Sequence, residues 1–405
     1  MDRLTMRTSE RRSGITVRPV AAALCLAAGP VIALAFTRFA YTLLLPPMRA
    51  DLDWSFTVAG GVTTSNAAGY LLGAATTGLV ARKLGEVRSF AAGMALGAVT
   101  LLLTGLTANY LVLTVIRAVG GYSTAVVFVV GATLAARIRV SSPKEGSRMV
   151  SIYMSGVGAG IVLCGIVIPL LLARLGDAGW RVGWLILGAV GIVLVPLAVY
   201  GTRQCELVAA QPARIGPVAL GLGRLFLWYA LFGAGYVTYM TFVVALLKEA
   251  GLSGRAIAVF FVLLGVASIV GSLFVWGRVI HRLSTHAAPA VVSGVVAAGI
   301  LPVLFTESIA GAFVSAAVFG MAFMAGPAAV TVVVKRTLPA SVWTAAIAAL
   351  TVAFSLGQAV GPVVSGMVAD SRWGIEGGLW SSFALLILAS VGMLTRRRAR
   401  ANGVR

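Results

Sequence analysis

Two arginines, Arg38 and Arg117, fall inside long apolar segments of a chain that places no Asp or Glu within any such segment. A charged side chain at mid-bilayer costs roughly 2.5–3.5 kcal/mol on insertion scales, so intramembrane ionisable groups are rare and usually functional. An acidic partner would offset that cost, and none of the segments supplies one. A bound anion would provide the missing negative charge, and arginine's planar fork suits a carboxylate or phosphate. Arg38 lies 11 residues before Arg49 and Arg117 lies 7 residues after Tyr110. At 1.5 Å per helical residue these are depths of about 16 and 10 Å, one layer in which both could reach a shared cavity. Tyr41, three residues after Arg38, is expected on the same helix face. Tyr236 and Tyr239 repeat that spacing in the second half of the chain, and Asn66, Thr124 and Gln358 are further polar candidates for the lining. The candidate substrate-binding set is therefore Arg38, Tyr41, Asn66, Arg117, Thr124, Tyr236, Tyr239 and Gln358. Arg117 admits a second reading, as a structural arginine bonded to carbonyls of a neighbouring helix.

The elements that must hold these residues follow from composition. Of 405 residues, 59% are hydrophobic and 11% charged, with a mean hydropathy of +0.99. Soluble domains carry about 25% charged residues, so an integral membrane protein is expected. Continuous apolar runs, each long enough to cross the hydrocarbon core as a helix, occur at about 20–46, 57–80, 89–106, 110–136, 149–173, 180–201, 218–247, 256–280, 288–306, 309–334, 342–369 and 377–394. The expected fold class is all-α, with twelve transmembrane helices. The net charge of +20 tempts a nucleic-acid reading, but its distribution argues against one. If the N-terminus is cytoplasmic, 24 Lys and Arg fall in inside segments and 6 in outside loops. That asymmetry fits the positive-inside rule and places both termini in the cytoplasm, with the inner membrane as the expected location. The basic first residues followed by a full-length span read as a tail and first helix, not a cleaved leader.

A polar connection at 202–217 divides the spans six and six. The expected organisation is a basic tail at 1–19, a bundle at 20–201, the connection, a bundle at 218–394 and a basic tail at 395–405. Offsets of about 198 place Tyr41 on Tyr239 and Ser55 on Ser253, and 199 places Gly121 on Gly320. Such matches favour two pseudo-symmetric halves with a site between them at mid-membrane. Pro46-Pro47 is expected to end the first span, since proline cannot continue the helical ladder.

Catalytic groups are missing from the spans: no Asp, Glu or His occurs in them, and Cys25, Cys164 and Cys205 form no metal-ligand spacing. No P-loop pattern occurs. No enzyme activity, metal or cofactor is expected.

Several stretches resemble the major facilitator superfamily. Gly78-Leu-Val-Ala-Arg82-Lys83-Leu-Gly85-Glu-Val-Arg88 is similar to its GxLaDrxGrr loop, with Arg82 at the acidic position, so the charge lock attributed to that Asp has no carboxylate here. Leu113-Thr-Val-Ile-Arg117-Ala-Val-Gly120-Gly121 is similar to its LxxxRxxxG motif. Phe36-Thr-Arg38-Phe39-Ala40-Tyr41-Thr42 and Ser355-Leu-Gly357-Gln358-Ala-Val-Gly361-Pro362 resemble the YbfB/YjiJ-type subgroup. The resemblance implies a monomeric secondary transporter of the two-bundle fold, with Gly78, Gly85, Arg88, Gly121, Gly361 and Pro362 in structural or gating roles. The residues favour a small organic anion as cargo, a carboxylate first among them, with proton-linked symport, exchange and facilitated diffusion left open. The alternative is an exporter of neutral lipophilic compounds.

Overall fold

The computed structural model of the chain describes residues 19–206, 222–339 and 342–395. The expected basic tails fall outside these residues except at their innermost ends, as does most of the 202–217 connection. Twelve long helices follow one another: α1 Pro19–Leu52, α2 Phe56–Leu84, α3 Glu86–Leu106, α4 Tyr110–Ala136, α5 Pro143–Leu175 and α6 Trp180–Gly201. The second half comprises α7 Gly223–Glu249, α8 Gly254–Arg282, α9 Ala287–Phe305, α10 Ile309–Thr337, α11 Trp343–Ala369 and α12 Gly374–Leu394. Eleven are long and apolar enough to cross a membrane. The exception is α2, whose Thr63-Thr64-Ser65-Asn66 run interrupts an otherwise apolar helix.

The first helix departs from expectation. It runs on through Pro46-Pro47 and ends at Asp53, which turns into the left-handed region with φ 52°. A fixed φ near −65° is itself helical, so the two prolines cost backbone bonds without forcing a turn. Further back, Val31–Phe39 is wound as a π-helix, a feature that tends to occur at functional positions.

The halves are built alike. Ser55 and Asn109 cap α2 and α4 by accepting N–H bonds, and Ser253 and Ser308 do the same for α8 and α10. Gly121 of α4 lies so close to α2 that a Cβ there would sit 1.8 Å from the Asn66 carbonyl oxygen, and Gly320 of α10 approaches the Leu264 carbonyl of α8 in the same way, at 2.5 Å. In lipid, where apolar surface alone drives no association, such close approach is a main source of helix attraction.

Two seams join the halves, α2 against α11 and α5 against α8. In the first, Gly60 meets the Pro362 carbonyl, and Thr64 donates to the Ala359 carbonyl. In the second, Gly158 and Gly265 face each other's carbonyls. At the face where α1 ends and α2 begins, here the distal face, the Asp370 carboxylate after α11 accepts from the N–H groups of Phe56 and Thr57, each at 2.7 Å. Burial would raise the Asp370 pKa, but hydrogen bonds from Thr57, Phe56 and Ser55 outweigh it and hold the carboxyl below its usual range. A carboxylate on a helix N-terminus also meets the positive end of the dipole. Lys248 and Asp177 pair across the same face at 3.2 Å, but both are half-exposed and add little. At the opposite, proximal face the ion pair Glu86–Arg137, at 2.8 Å, lies within the first half.

Replacing Gly121 by Ala should force α2 and α4 apart and destabilise the protein by about 1–3 kcal/mol, the usual range for overpacking. The melting temperature of purified protein checks this. A Tm equal to that of the unmodified protein would show that the helices absorb the methyl group.

Candidate functional site

Between the halves lies a cavity of about 240 Å³. From the first half α1, α2, α4 and α5 line it with Arg38, Tyr70, Phe128 and Met154 among others. From the second, α7, α10 and α11 contribute Tyr229, Tyr236, Phe323, Thr351 and Phe354. It lies toward the proximal face, since Thr331, Ala132 and Ile347 are near the proximal ends of their helices. The distal side is closed by the α2–α11 seam, the Asp370 contact and the Thr42 hydroxyl donating from α1 to the Met240 carbonyl of α7.

Arg38 is the one cationic residue in this lining. It is 5% exposed, and its Nε and Nη2 are buried without a hydrogen-bond partner among the described residues. Its guanidinium lies over the Tyr70 ring at 5.4 Å, and the Tyr236 hydroxyl is within its reach. Behind Tyr236, the Gln358 amide nitrogen donates to that hydroxyl, leaving Gln358 Oε1 buried and unpartnered. Leaving a buried donor unsatisfied costs about 1–3 kcal/mol, more for charged groups. The site is therefore built around an N–H edge that no described residue pairs.

The other sequence candidates sit elsewhere. Arg117 does not line the cavity. Its guanidinium is held between the Tyr41 ring at 5.4 Å and the Trp184 ring at 5.1 Å, so aromatic faces supply its compensation. Its Nε has no hydrogen-bond partner among the described residues. Tyr41 is not in the cavity lining and donates to the Ala59 carbonyl at 2.9 Å. Three residues on from Arg38, Tyr41 is held by α2 and α4 instead, its hydroxyl on Ala59 and its ring beside Arg117. Tyr239 bonds the Ser315 hydroxyl, Asn66 donates to the Arg117 carbonyl at 3.1 Å, and Thr124 donates to the Ala33 carbonyl at 2.7 Å. These contacts hold helices together. Of the eight candidates, Arg38 and Tyr236 line the cavity and Gln358 backs it.

Among the structural candidates, Gly361 packs on the Ala234 carbonyl and Pro362 meets Gly60 in the distal seam. Gly85 turns between α2 and α3 at φ +81°, Gly78 has open space, and Arg88 is exposed. Tyr70, Tyr229, Phe323 and Phe354 went unrecognised in the sequence. A signal existed for one of them: Tyr229, Phe232 and Tyr236 are spaced as one aromatic face of α7.

The profile of a family described as "Uncharacterised MFS-type transporter YbfB" matches residues 30–394. The chain belongs to this family of major facilitator superfamily transporters. It is a membrane transporter and not an enzyme. A chloramphenicol resistance protein of Streptomyces lividans is 28% identical over 388 residues, spanning 90% of this chain and 94% of its own length. The solved nucleoside transporter NupG superposes with a TM-score of 0.71 at 15% identity, covering 94% of this chain and 100% of that one. A D-xylose-proton symporter gives 0.70 at 16%, covering 93% and 96%. A bacterial homologue of the human lysosomal transporter Spinster, inward-facing and unoccupied, gives 0.65 at 17%, covering 94% and 96%. At these identities the likeness to the solved structures is one of fold.

If Arg38 is strained by unpaired burial, Arg38→Met should raise the Tm of ligand-free transporter, equivalent to roughly 1–3 kcal/mol, because an apolar chain of similar length removes the orphaned donors. A fall in Tm would mean that the guanidinium is already satisfied.

Proposed function

We propose that this transporter moves a small organic anion, most simply a carboxylate, across the inner membrane by alternating access, with Arg38 as the anchor. The observation that carries this reading is the unpartnered Nε and Nη2 edge of the cavity's single cation. A ligand carboxylate there would form charge-assisted hydrogen bonds, about twice as strong as neutral ones. No acid lines the cavity to compete for the edge. The excess of Lys and Arg on the proximal segments supports a cytoplasmic proximal face. On that orientation the arrangement corresponds to an inward-facing state, with the Asp370 contact as the outer latch. Proton-linked symport fits the proposal with the proton accompanying the anion, because no carboxylate lies within the spans to carry it separately.

A second reading, export of neutral lipophilic compounds, is favoured by the resistance protein among the relatives and by the largely aromatic lining. The two readings part at Arg38. In proteoliposomes, Arg38→Ala should abolish uptake of a transported carboxylate. Arg38→Lys should lower it at least tenfold, since an ammonium cannot reproduce the two-point grip. Export of a neutral compound that survives both substitutions would establish the second reading instead.

The latch has its own test. In a background lacking Cys25, Cys164 and Cys205, a cysteine at Thr42 is sealed within the closed distal side. Adding Asp370→Ala should increase its labelling by an impermeant maleimide from outside several-fold. Unchanged labelling would show that the seams alone keep that side shut.

A further inference from the structure

The cavity does more than select for negative charge. We propose that its cargo is an aromatic monocarboxylate, a flat ring carrying one acid group, and that polyols, nucleosides and dicarboxylates are excluded. This inference rests on the reading of Arg38 as anion anchor and adds the rest of the molecule.

Three observations set the class. First, the number of charges. Nε and Nη2 form the side edge of one guanidinium, which matches the two oxygens of one carboxylate. No second Lys or Arg lines the cavity, and Arg117, the nearest in depth, is enclosed by Tyr41 and Trp184. A dicarboxylate would bury its second charge without a partner.

Second, the shape. The rings that α7, α10 and α11 present are stacked nearly parallel. Tyr236 and Phe354 differ by 5° with centroids 5.6 Å apart, Tyr229 and Phe354 by 21° at 4.4 Å, and Tyr236 and Phe323 by 29° at 6.2 Å. Flat surfaces in one orientation favour a flat guest, which gains offset-stacked contacts beyond simple burial. The volume agrees. A cavity of roughly 150 Å³ holds benzene, so about 240 Å³ accommodates one ring, or a small fused pair, with its acid group.

Third, the shortage of free polar groups. Besides Arg38 and the phenols, the polar lining consists of Thr331 and Thr351, whose hydroxyls already donate to the Pro327 and Ile347 carbonyls at 2.9 and 2.8 Å. Among the described residues no Asn, Gln, Ser, His, Asp or Glu lines the cavity. A sugar or nucleoside would leave several hydroxyls facing hydrocarbon, and burying an unpaired polar group is unfavourable. This separates the chain from the nucleoside transporter and the xylose symporter that share its fold.

Calorimetric titration of the purified full-length transporter with a matched series tests the proposal without any variant. The probes are phenylacetate, indole-3-acetate, cyclohexylacetate, butyrate, phthalate, phenylacetamide, uridine and xylose. Phenylacetate and indole-3-acetate should bind at least tenfold more tightly than cyclohexylacetate, butyrate or phthalate, with no binding of uridine or xylose. Equal binding of the aliphatic and aromatic acids would overturn the aromatic class while leaving Arg38 as an anion anchor. Phenylacetamide binding as well as phenylacetate would overturn the anion reading itself. Phe354→Leu then serves as a check on the stacking surface. It should reduce the preference for phenylacetate over cyclohexylacetate at least threefold, and an unchanged preference would also overturn the aromatic assignment.

Discussion

A positive charge that lipid cannot solvate, placed where the protein offers no negative one, is the constraint on which this structure depends. Arg38 could have been paired by an acid on a facing helix, and a paired guanidinium would have been inert toward cargo. Instead the neighbours are the Tyr70 ring and the Tyr236 hydroxyl. A cation over an aromatic face gains about 0.5–2 kcal/mol, enough to keep the charge tolerable and too little to saturate its N–H edge. The remaining donor capacity is what the proposed anion would use. Arg117 shows the other solution to the same problem: two aromatic faces enclose it, and it becomes part of the packing between α1, α4 and α6.

The architecture around Arg38 serves closeness. Helices in a bilayer gain nothing from hiding apolar side chains from water, so they associate where small residues let backbones touch. The glycines of α2 and α4, and their counterparts in α8 and α10, fix the interior of each half. The glycines at Gly60, Gly158 and Gly265 fix where the halves meet. What is left between the seams is a cavity set toward the proximal face. At the distal end one contact is electrostatic and directional, a carboxylate on a helix N-terminus.

Much of this was legible in the sequence because hydropathy and charge are local properties. The spans and the place of Arg38 in a buried cavity follow from where apolar runs stop and where a charge interrupts them. The repeat was visible in Ser55 and Ser253 and in Gly121 and Gly320, and these turn out to be helix caps and close-approach points. Facing directions were less legible. Residues three apart share a face only broadly, and at Tyr41 the contacts with Ala59 and Arg117 take the side chain out of the cavity lining. Tyr236 and Tyr239 lie in regular helix, yet the cavity boundary runs between them, so one lines the cavity and the other bonds Ser315. Phe323 and Phe354 had no local signal at all. Each is an aromatic among apolar neighbours, and only the packing of α10 and α11 on α7 brings both rings against Tyr236.

The second helix has a consequence for how the protein is made. Its Thr63-Thr64-Ser65-Asn66 run leaves it the least apolar of the twelve, and its partners lie on both sides of the molecule: α4 within its own half, and α11 about 300 residues later in the chain. Until α11 emerges from the ribosome, the Thr64 hydroxyl lacks the acceptor it has in the finished protein. Before then it can bond only within its own helix, as Thr76 and Thr77 do to the Leu72 and Gly73 carbonyls. The second half thus supplies a polar contact that the first half lacks on its own.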